Sequence, residues 1–439
     1  MVENVDVIVV GAGISGISAA AHLAERGIKS IVLEGRDRVG GRLFTDRRSG
    51  SAPYELGCSW FHESAHNPLL KIAEREHIAF VRDDKVGFYT ANGPLEVTLD
   101  AATTLQAFKS HATSESSSSG KDTSLRTQVD EFLKIQTHLD QGTKDTVAGL
   151  VRIEELANGT PWSEISAKSV THGQPDDHMV LGGYDRILDA IKRHTLKDCV
   201  HTNQKVVEID SGSVSNKVLV KTQQGDQYEA KYVIVTIPVS NLKHSDIKFT
   251  PSLSKDIQNA IDTTDVSLVG KVYFEFEEPF WPVEQHKFVV VGTPRGDPKS
   301  ATAYPIVVSN WYILNGEGKH PGLAILTPTP LTEKIEKDAD SAFELLLPVL
   351  EGLRTDNSKP VPLPTRATSS KWSVDEFSKG SYSMYKVGHD RGVAVQAFET
   401  GAGRVRFAGE HTILKGAGFA HGAYNSGIRE ADFILDNIE

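Results

Sequence analysis

Val5-Asp6-Val7-Ile8-Val9-Val10-Gly11-Ala12-Gly13-Ile14-Ser15-Gly16 decides the fold of this chain. The apolar, β-branched run at 5–10 has the composition of a strand buried on both faces of a parallel sheet. Gly-x-Gly-x-x-Gly follows it, and a helix-forming stretch, 14–26, follows the glycines. In that order the motif reads as a dinucleotide-binding turn. Gly11 allows the tight turn, Gly13 lets the backbone approach a pyrophosphate, and Gly16 lets the helix pack closely on the strand. The helix start at Ile14-Ser15 offers free N–H groups and a positive dipole end to phosphates. Gly27 is placed as the helix C-cap. Ile31-Val32-Leu33 is then the second strand, and Glu34 ends it where an acid can hydrogen-bond a ribose hydroxyl.

The glycine string alone also fits a glycine-rich loop in another parallel-sheet protein. The next segment, Gly35-Arg36-Asp37-Arg38-Val39-Gly40-Gly41-Arg42, favours the nucleotide. Arg36 and Arg42 are suited to phosphate or ribose oxygens, and Gly40-Gly41 lets the backbone pass close to a ligand. The alternative for each arginine is a solvated surface charge.

The 439 residues exceed one ordinary core, so two or three domains are expected. A net charge of −11 without a basic tract argues against nucleic acid and is compatible with a cationic substrate. The two cysteines, Cys58 and Cys199, form neither a CxxC nor a metal-ligand cluster, so no metal is expected and a reducing compartment is favoured. The chain enters its first strand almost at once, and no apolar run reaches membrane-span length. The expectation is a soluble cytoplasmic protein, monomer or homodimer, without a membrane partner.

Further along, residues 86–194 are polar and helical, with a low-complexity patch at Ser114–Gly120 expected as a surface loop. Strands are expected at Val206–Ile209, Lys217–Val220 and Tyr232–Pro238, the last buried and parallel. Lys271–Phe276 alternates as a half-buried strand does. Val405-Arg406-Phe407-Ala408-Gly409-Glu410 reads as a strand entering a turn, followed by a closing helix.

Four blocks together resemble the flavin-containing amine oxidase family. They are the double signature at 11–42, Tyr54-Glu55-Leu56-Gly57-Cys58-Ser59-Trp60-Phe61-His62, Gly270-Lys271 with its aromatic strand, and Arg406–Thr412 with Gly416–Ala423. Within the family the chain looks most like the fungal polyamine oxidases that act on spermine and acetylated polyamines. The resemblance implies an α/β fold: an FAD-binding Rossmann-like domain of the glutathione-reductase type, interleaved with an α+β substrate domain containing a mixed sheet. The expected division assigns 1–85, 195–250 and 385–439 to FAD, and 86–194 and 251–384 to the substrate.

The resemblance also implies roles. Gly11, Gly13, Ser15, Gly16, Glu34, Arg36, Gly41 and Arg42 would hold the AMP and pyrophosphate portions, with Val206 near the adenine. Gly57, Ser59, Trp60 and Trp372 would pack near the flavin, and Gly409-Glu410 would contact the pyrophosphate or ribityl chain. Gly418-Phe419-Ala420 would lie by the isoalloxazine at a helix N-terminus. Lys271 would hold a water against flavin N5 and stabilise the charge that develops on oxygen; the alternative is an exposed strand lysine. His62, Tyr382 and Phe419 would form the substrate site, with His421 standing where related fungal enzymes have tyrosine. A structural histidine at 62 and core packing of Phe419 are the alternatives. Asp83 and Asp84 are candidates for the distal ammoniums, or else members of a solvated loop. Ser381 stands where monoamine oxidases carry the cysteine that bonds the flavin, so noncovalent FAD is implied.

The implied reaction takes a polyamine's secondary amine, with O2, to a shorter polyamine, an aminoaldehyde and hydrogen peroxide; spermine would give spermidine and 3-aminopropanal. The rivals are an oxidase of other amines, a histone demethylase, and a flavin-fold protein that binds a ligand such as a steroid with little turnover.

Overall fold

The structure is a computed structural model and describes residues 3–116, 121–168, 170, 177–193, 198–213, 216–314 and 318–438. The opening run forms the strand Glu3–Val10, hydrogen-bonded in parallel to Ser30–Leu33 on one side and to Gln227–Val235 on the other. Its side chains divide with period two. Val7 and Val9 enter a core shared with the helices Ile14–Ala24, Asp185–Lys192 and Ala420–Asn437. Ile8 and Val10 enter a second core, on the opposite face, with Leu242, Ile257 and Phe398. Burial on both faces is why this strand is apolar throughout.

Among the described residues the sheet has eight strands. Gln227–Val235 is its pivot: its first half pairs antiparallel with Val218–Thr222, and its second half pairs parallel with Val405–Phe407. The strand expected at Tyr232–Pro238 therefore starts earlier and stops at Val235, because pairing with Val218–Thr222 extends it backwards.

The second sheet has seven strands and is mixed: Lys287–Val290 runs parallel to Val86–Thr90, and the remaining pairs are antiparallel. Its strand Val269–Glu275 is buried along nearly its whole length, not on one face as its alternation suggests. Val272 and Phe274 pack with Leu346 and Val349 of the helix Ala342–Glu351. Tyr273, on the other face, packs with Tyr54 and Trp311. Two covers leave no solvent face.

Two boundaries shift. His178–Val180 pairs with Trp60–Phe61 and with Phe80–Arg82, and Ile187 and Leu188 join the core of the first helix. Residues 178–192 thus pack with elements of 1–85, across the expected boundary at 194. The helix Lys255–Thr263 likewise packs on Arg391–Thr400 beside the first sheet. Ser114–Ser116 complete the helix Leu99–Ser116 instead of opening a loop, and 117–120 lie outside the described residues. No described helix is long and apolar enough to cross a membrane.

Candidate active site

The three motif glycines have three different surroundings. Gly11 sits at φ +105, and a side chain at Gly16 would drive its Cβ to 2.0 Å from the Gly11 carbonyl oxygen. Gly13 is different: an added Cβ would meet nothing within 4 Å. Across from it, a Cβ on Gly41 would approach only the Gly13 Cα, at 3.5 Å. Gly11 and Gly16 are small so that strand and helix can close, whereas Gly13 and Gly41 leave room for a ligand. The helix Ile14–Ala24 has no side-chain cap and no acid in its first turn, so its positive end faces that space. This cradle fits a dinucleotide pyrophosphate.

Glu34 is buried and bridges the two signatures, accepting from Ala12 N (2.7 Å) and Arg36 N (2.8 Å). Gln204 N donates to the Glu34 carbonyl (2.7 Å), which brings the chain before Val206 alongside. Arg36 is not a solvated surface charge: its guanidinium donates to both Asp375 oxygens (2.6 Å each) and to Ser378 Oγ (2.9 Å). Arg42 donates to Glu410 Oε1 (2.9 Å) and to the Ser381 carbonyl (2.8 Å). Gly409, at φ +137, donates to Ser426 Oγ, which also meets Ser15 Oγ at 3.2 Å. The two ends of the chain are joined there. Burial alone would raise the Glu410 carboxyl; the Arg42 charge, His411 and the Ser383 hydroxyl outweigh it and hold the group below its ordinary value.

The block 54–62 is the hub of the site. Lys271 is 8% exposed, and its ammonium donates to the carbonyl of Glu55 (3.0 Å), the carbonyl of Gly57 and the Ser59 hydroxyl. Tyr273 Oη donates to the same Glu55 carbonyl (2.9 Å), and Trp372 Nε1 donates to that of Leu56 (2.9 Å). Gly57 must be glycine, since a Cβ there would lie 1.8 Å from the Arg42 carbonyl oxygen. Lys271 is thus a buried cation with all three protons directed at this block, not an exposed strand lysine. A water bridge from it requires one of these bonds to yield, and the Ser59 hydroxyl is the acceptor that can rotate.

Trp60 lies beneath this ammonium, with Lys271 Nζ 5.1 Å and Lys287 Nζ 5.4 Å from its ring centroid. Its Nε1 donates to Asp83 Oδ2 (2.6 Å), and Lys287 pairs with the same oxygen (2.6 Å). Asp83 is therefore buried and already neutralised, neither a solvated loop residue nor a free acceptor for a substrate ammonium. Asp84 is exposed, 3.8 Å from Arg82 and 3.9 Å from His286.

Three rings stack nearby. Phe419 lies 4.4 Å from His62 and 5.6 Å from His421, centroid to centroid, with interplanar angles of 28° and 25°. His62 Nδ1 bonds Asp177 Oδ2 (2.9 Å). The His62 partner holds Asp177 below its ordinary value against the opposing effect of burial, so the carboxylate accepts and Nδ1–H donates. In the neutral ring, Nε2 is then an acceptor directed elsewhere. His421 differs: Nε2 pairs with Glu63 (3.2 Å) and Nδ1 with Asn67 Nδ2 (3.4 Å), so both nitrogens are used and the ring face is what it presents. Burial pushes its imidazole below the ordinary value. Tyr382 Oη points away, to the carbonyls of Leu156 (3.0 Å) and Ala157 (2.9 Å). Its ring borders Gly418, where an added Cβ would lie 3.7 Å from Tyr382 Cδ2. The closing helix begins at Ala420, with Phe419 as its N-cap residue and no capping side chain. Ser381 Oγ donates to the Val269 carbonyl (2.8 Å) and accepts from Val269 N (2.9 Å), tying the Tyr382 segment to the strand of Lys271.

Glu63, Asp177 and Asp375 are the partners that sequence reasoning missed. Glu63 follows His62 directly, but Asp177 and Asp375 reach His62 and Arg36 only through tertiary pairing.

The family model for flavin containing amine oxidoreductases matches residues 14–91 and 140–435. A corticosteroid-binding protein of Candida albicans is 28% identical over 99% of this chain and 97% of its own length. Polyamine oxidase 4 of rice (Oryza sativa subsp. japonica) is 29% identical, over 97% of this chain and 88% of its own. A solved putrescine oxidase structure superposes with a TM-score of 0.78 at 19% identity, covering both chains entirely, and so shares the fold. That fold is α/β with mixed sheets, and the family's cofactor is FAD. The chain belongs to the flavin-containing amine oxidoreductases, the FAD-dependent enzymes that oxidise amines.

Proposed function

We propose that this protein is a polyamine oxidase, acting on spermine or its acetylated forms at a secondary amine. The observation that carries the reading is the pairing of a buried ammonium, Lys271, with an adjoining stack of aromatic rings whose outer members are histidines bonded to carboxylates. FAD, when bound, supplies the hydride acceptor and the route of electrons to O2, with hydrogen peroxide as product. The cradle at Gly11–Gly16, Glu34, Gly41 and Arg42 would hold it, with Arg36 keeping the arginine loop in place through Asp375.

The remaining steps belong to side chains. Tyr382 would offer a ring face that aligns an amine nitrogen and its α-carbon, beside Phe419, which is held between the His62 and His421 rings. His62 Nε2 would accept a hydrogen bond from a neutral amine, while Asp177 fixes the ring. Lys271 supplies a fixed positive charge where negative charge develops on oxygen. Glu63, 56% exposed, and Asp177 are the carboxylates we assign to the distal ammoniums, in place of Asp83 and Asp84. Glu63→Gln is expected to raise the KM for spermine by about two- to fivefold, the range of a partly exposed ion pair. Steady-state peroxide assays with spermine measure the change, and an unchanged KM contradicts the assignment.

Ser381 is bonded to the Val269 backbone and has no thiol, so FAD should be held without a covalent bond. Acid precipitation is expected to leave the yellow flavin in the supernatant; flavin retained on the washed precipitate contradicts this. The 28% identical relative named for corticosteroid binding keeps a second reading open, in which this fold binds a ligand with little turnover. Peroxide release on adding spermine separates the two.

A further inference from the structure

We propose that the Glu55 carboxylate is the counter-charge that keeps Lys271 in its ammonium form. Its bearing on the oxygen reaction rests on the role proposed for Lys271 above.

Glu55 is 1% exposed, and among the described residues its carboxylate accepts from neutral donors, Thr45 Oγ1 (2.9 and 3.2 Å) and Tyr184 N (2.7 Å). Its own backbone carbonyl receives the Lys271 ammonium at 3.0 Å. The lysine's other acceptors, the Gly57 carbonyl and the Ser59 hydroxyl, are neutral too. Among the described residues the acid and the amine are thus both buried, each hydrogen-bonded to neutral groups, with the ammonium held on the acid's own backbone carbonyl. A buried charge without a partner is expensive, so the two ionisations must support one another.

The surrounding groups leave this task to Glu55. Tyr184 and Tyr273 face it, and burial pushes both phenols well above their ordinary range. Cys58 faces both partners, and burial pushes its thiol up as well. All three stay neutral around pH 7. Asp185 and Arg47 also act on Glu55, but they bond each other at 2.6 and 2.9 Å and largely cancel. On the lysine's other side, Trp60 offers a ring face, and Lys287 beyond it is matched by Asp83. Burial pushes Glu55 up to about 7 and Lys271 down to about 8, each shift being opposed by the partner's charge.

The test follows the Lys271 side-chain signal by NMR in the FAD-loaded enzyme with 13C-labelled lysine, assigned by its loss in Lys271→Met. In Glu55→Gln the titration midpoint is expected to fall by about one unit or more, the usual effect of losing an adjacent opposite charge. Glu55→Asp, which keeps the charge, should hold the midpoint near the wild-type value. A midpoint that does not move in Glu55→Gln overturns the proposal. The wild-type titration is a second check, independent of variant folding: two inflections support coupling, and a single one overturns it. Rapid-mixing reoxidation against pH should show the same displacement of its alkaline limb. A Lys271 signal that follows Glu55 while Lys271→Met reoxidises normally would sustain the charge coupling and remove the oxygen role instead.

Discussion

Lys271→Met is expected to slow reaction of the reduced flavin with O2 by roughly a hundredfold, while anaerobic reduction by substrate stays within about threefold of wild type. Methionine preserves most of the side-chain volume and removes the charge. Lys271 is buried, so its fixed charge acts with little screening. Removing one such electrostatic partner from a water-excluded site costs about a hundredfold or more. The ammonium also ties Glu55, Gly57 and Ser59 together, so a purely structural loss would slow both half-reactions. Rapid mixing of each half-reaction distinguishes these cases, and equal slowing of both removes the assigned role. In wild type the oxygen rate should fall as pH rises through about 8, because the active form is the protonated amine.

Arg42→Met is expected to destabilise the protein by about 3–5 kcal/mol, because it leaves Glu410 as an uncompensated buried charge. Glu410 is 4% exposed and accepts from Arg42, Ser383 N and Ser383 Oγ. Urea unfolding at pH 7 measures the loss, and flavin release should accompany it. The pH dependence has a definite sign. The Glu410 carboxyl lies below its ordinary value of 4.5 in the fold, so its contribution is present above that value. It fades as pH falls through the depressed value. Arg42→Met should therefore lose less stability than wild type on acidification from pH 6 to pH 3. A variant within 1 kcal/mol of wild type at pH 7 contradicts the pairing.

The first fifty residues were the most legible part of the chain, and the reason is geometric. A strand, a turn that excludes Cβ atoms at 11 and 16, and a helix are set by local sterics, so the glycine pattern carries them. Lys271 was legible as a position but not as an environment. Alternation of residue types in 271–276 reads as one wet face, and only the tertiary fold shows the helix Ala342–Glu351 on one side and the 54–62 block on the other. The carboxylates were the least legible. Asp83 and Asp84 drew attention as adjacent acids, yet Asp83 is taken by Trp60 and Lys287. Asp177, 115 residues from His62, carries no local mark of its pairing. The placement of 178–192 is illegible for the same reason: its helix resembles its polar neighbours, and only the tertiary fold shows it packed against Ile14–Ala24.

The central claim is most directly tested by mixing the purified yellow protein, without oxygen, with spermine, N1-acetylspermine, spermidine or benzylamine, and following the flavin absorbance. The account predicts rapid bleaching by spermine or its acetyl form, slower bleaching by spermidine and little by benzylamine. A flavin that remains oxidised with all four amines would contradict it and move the weight to ligand binding without turnover.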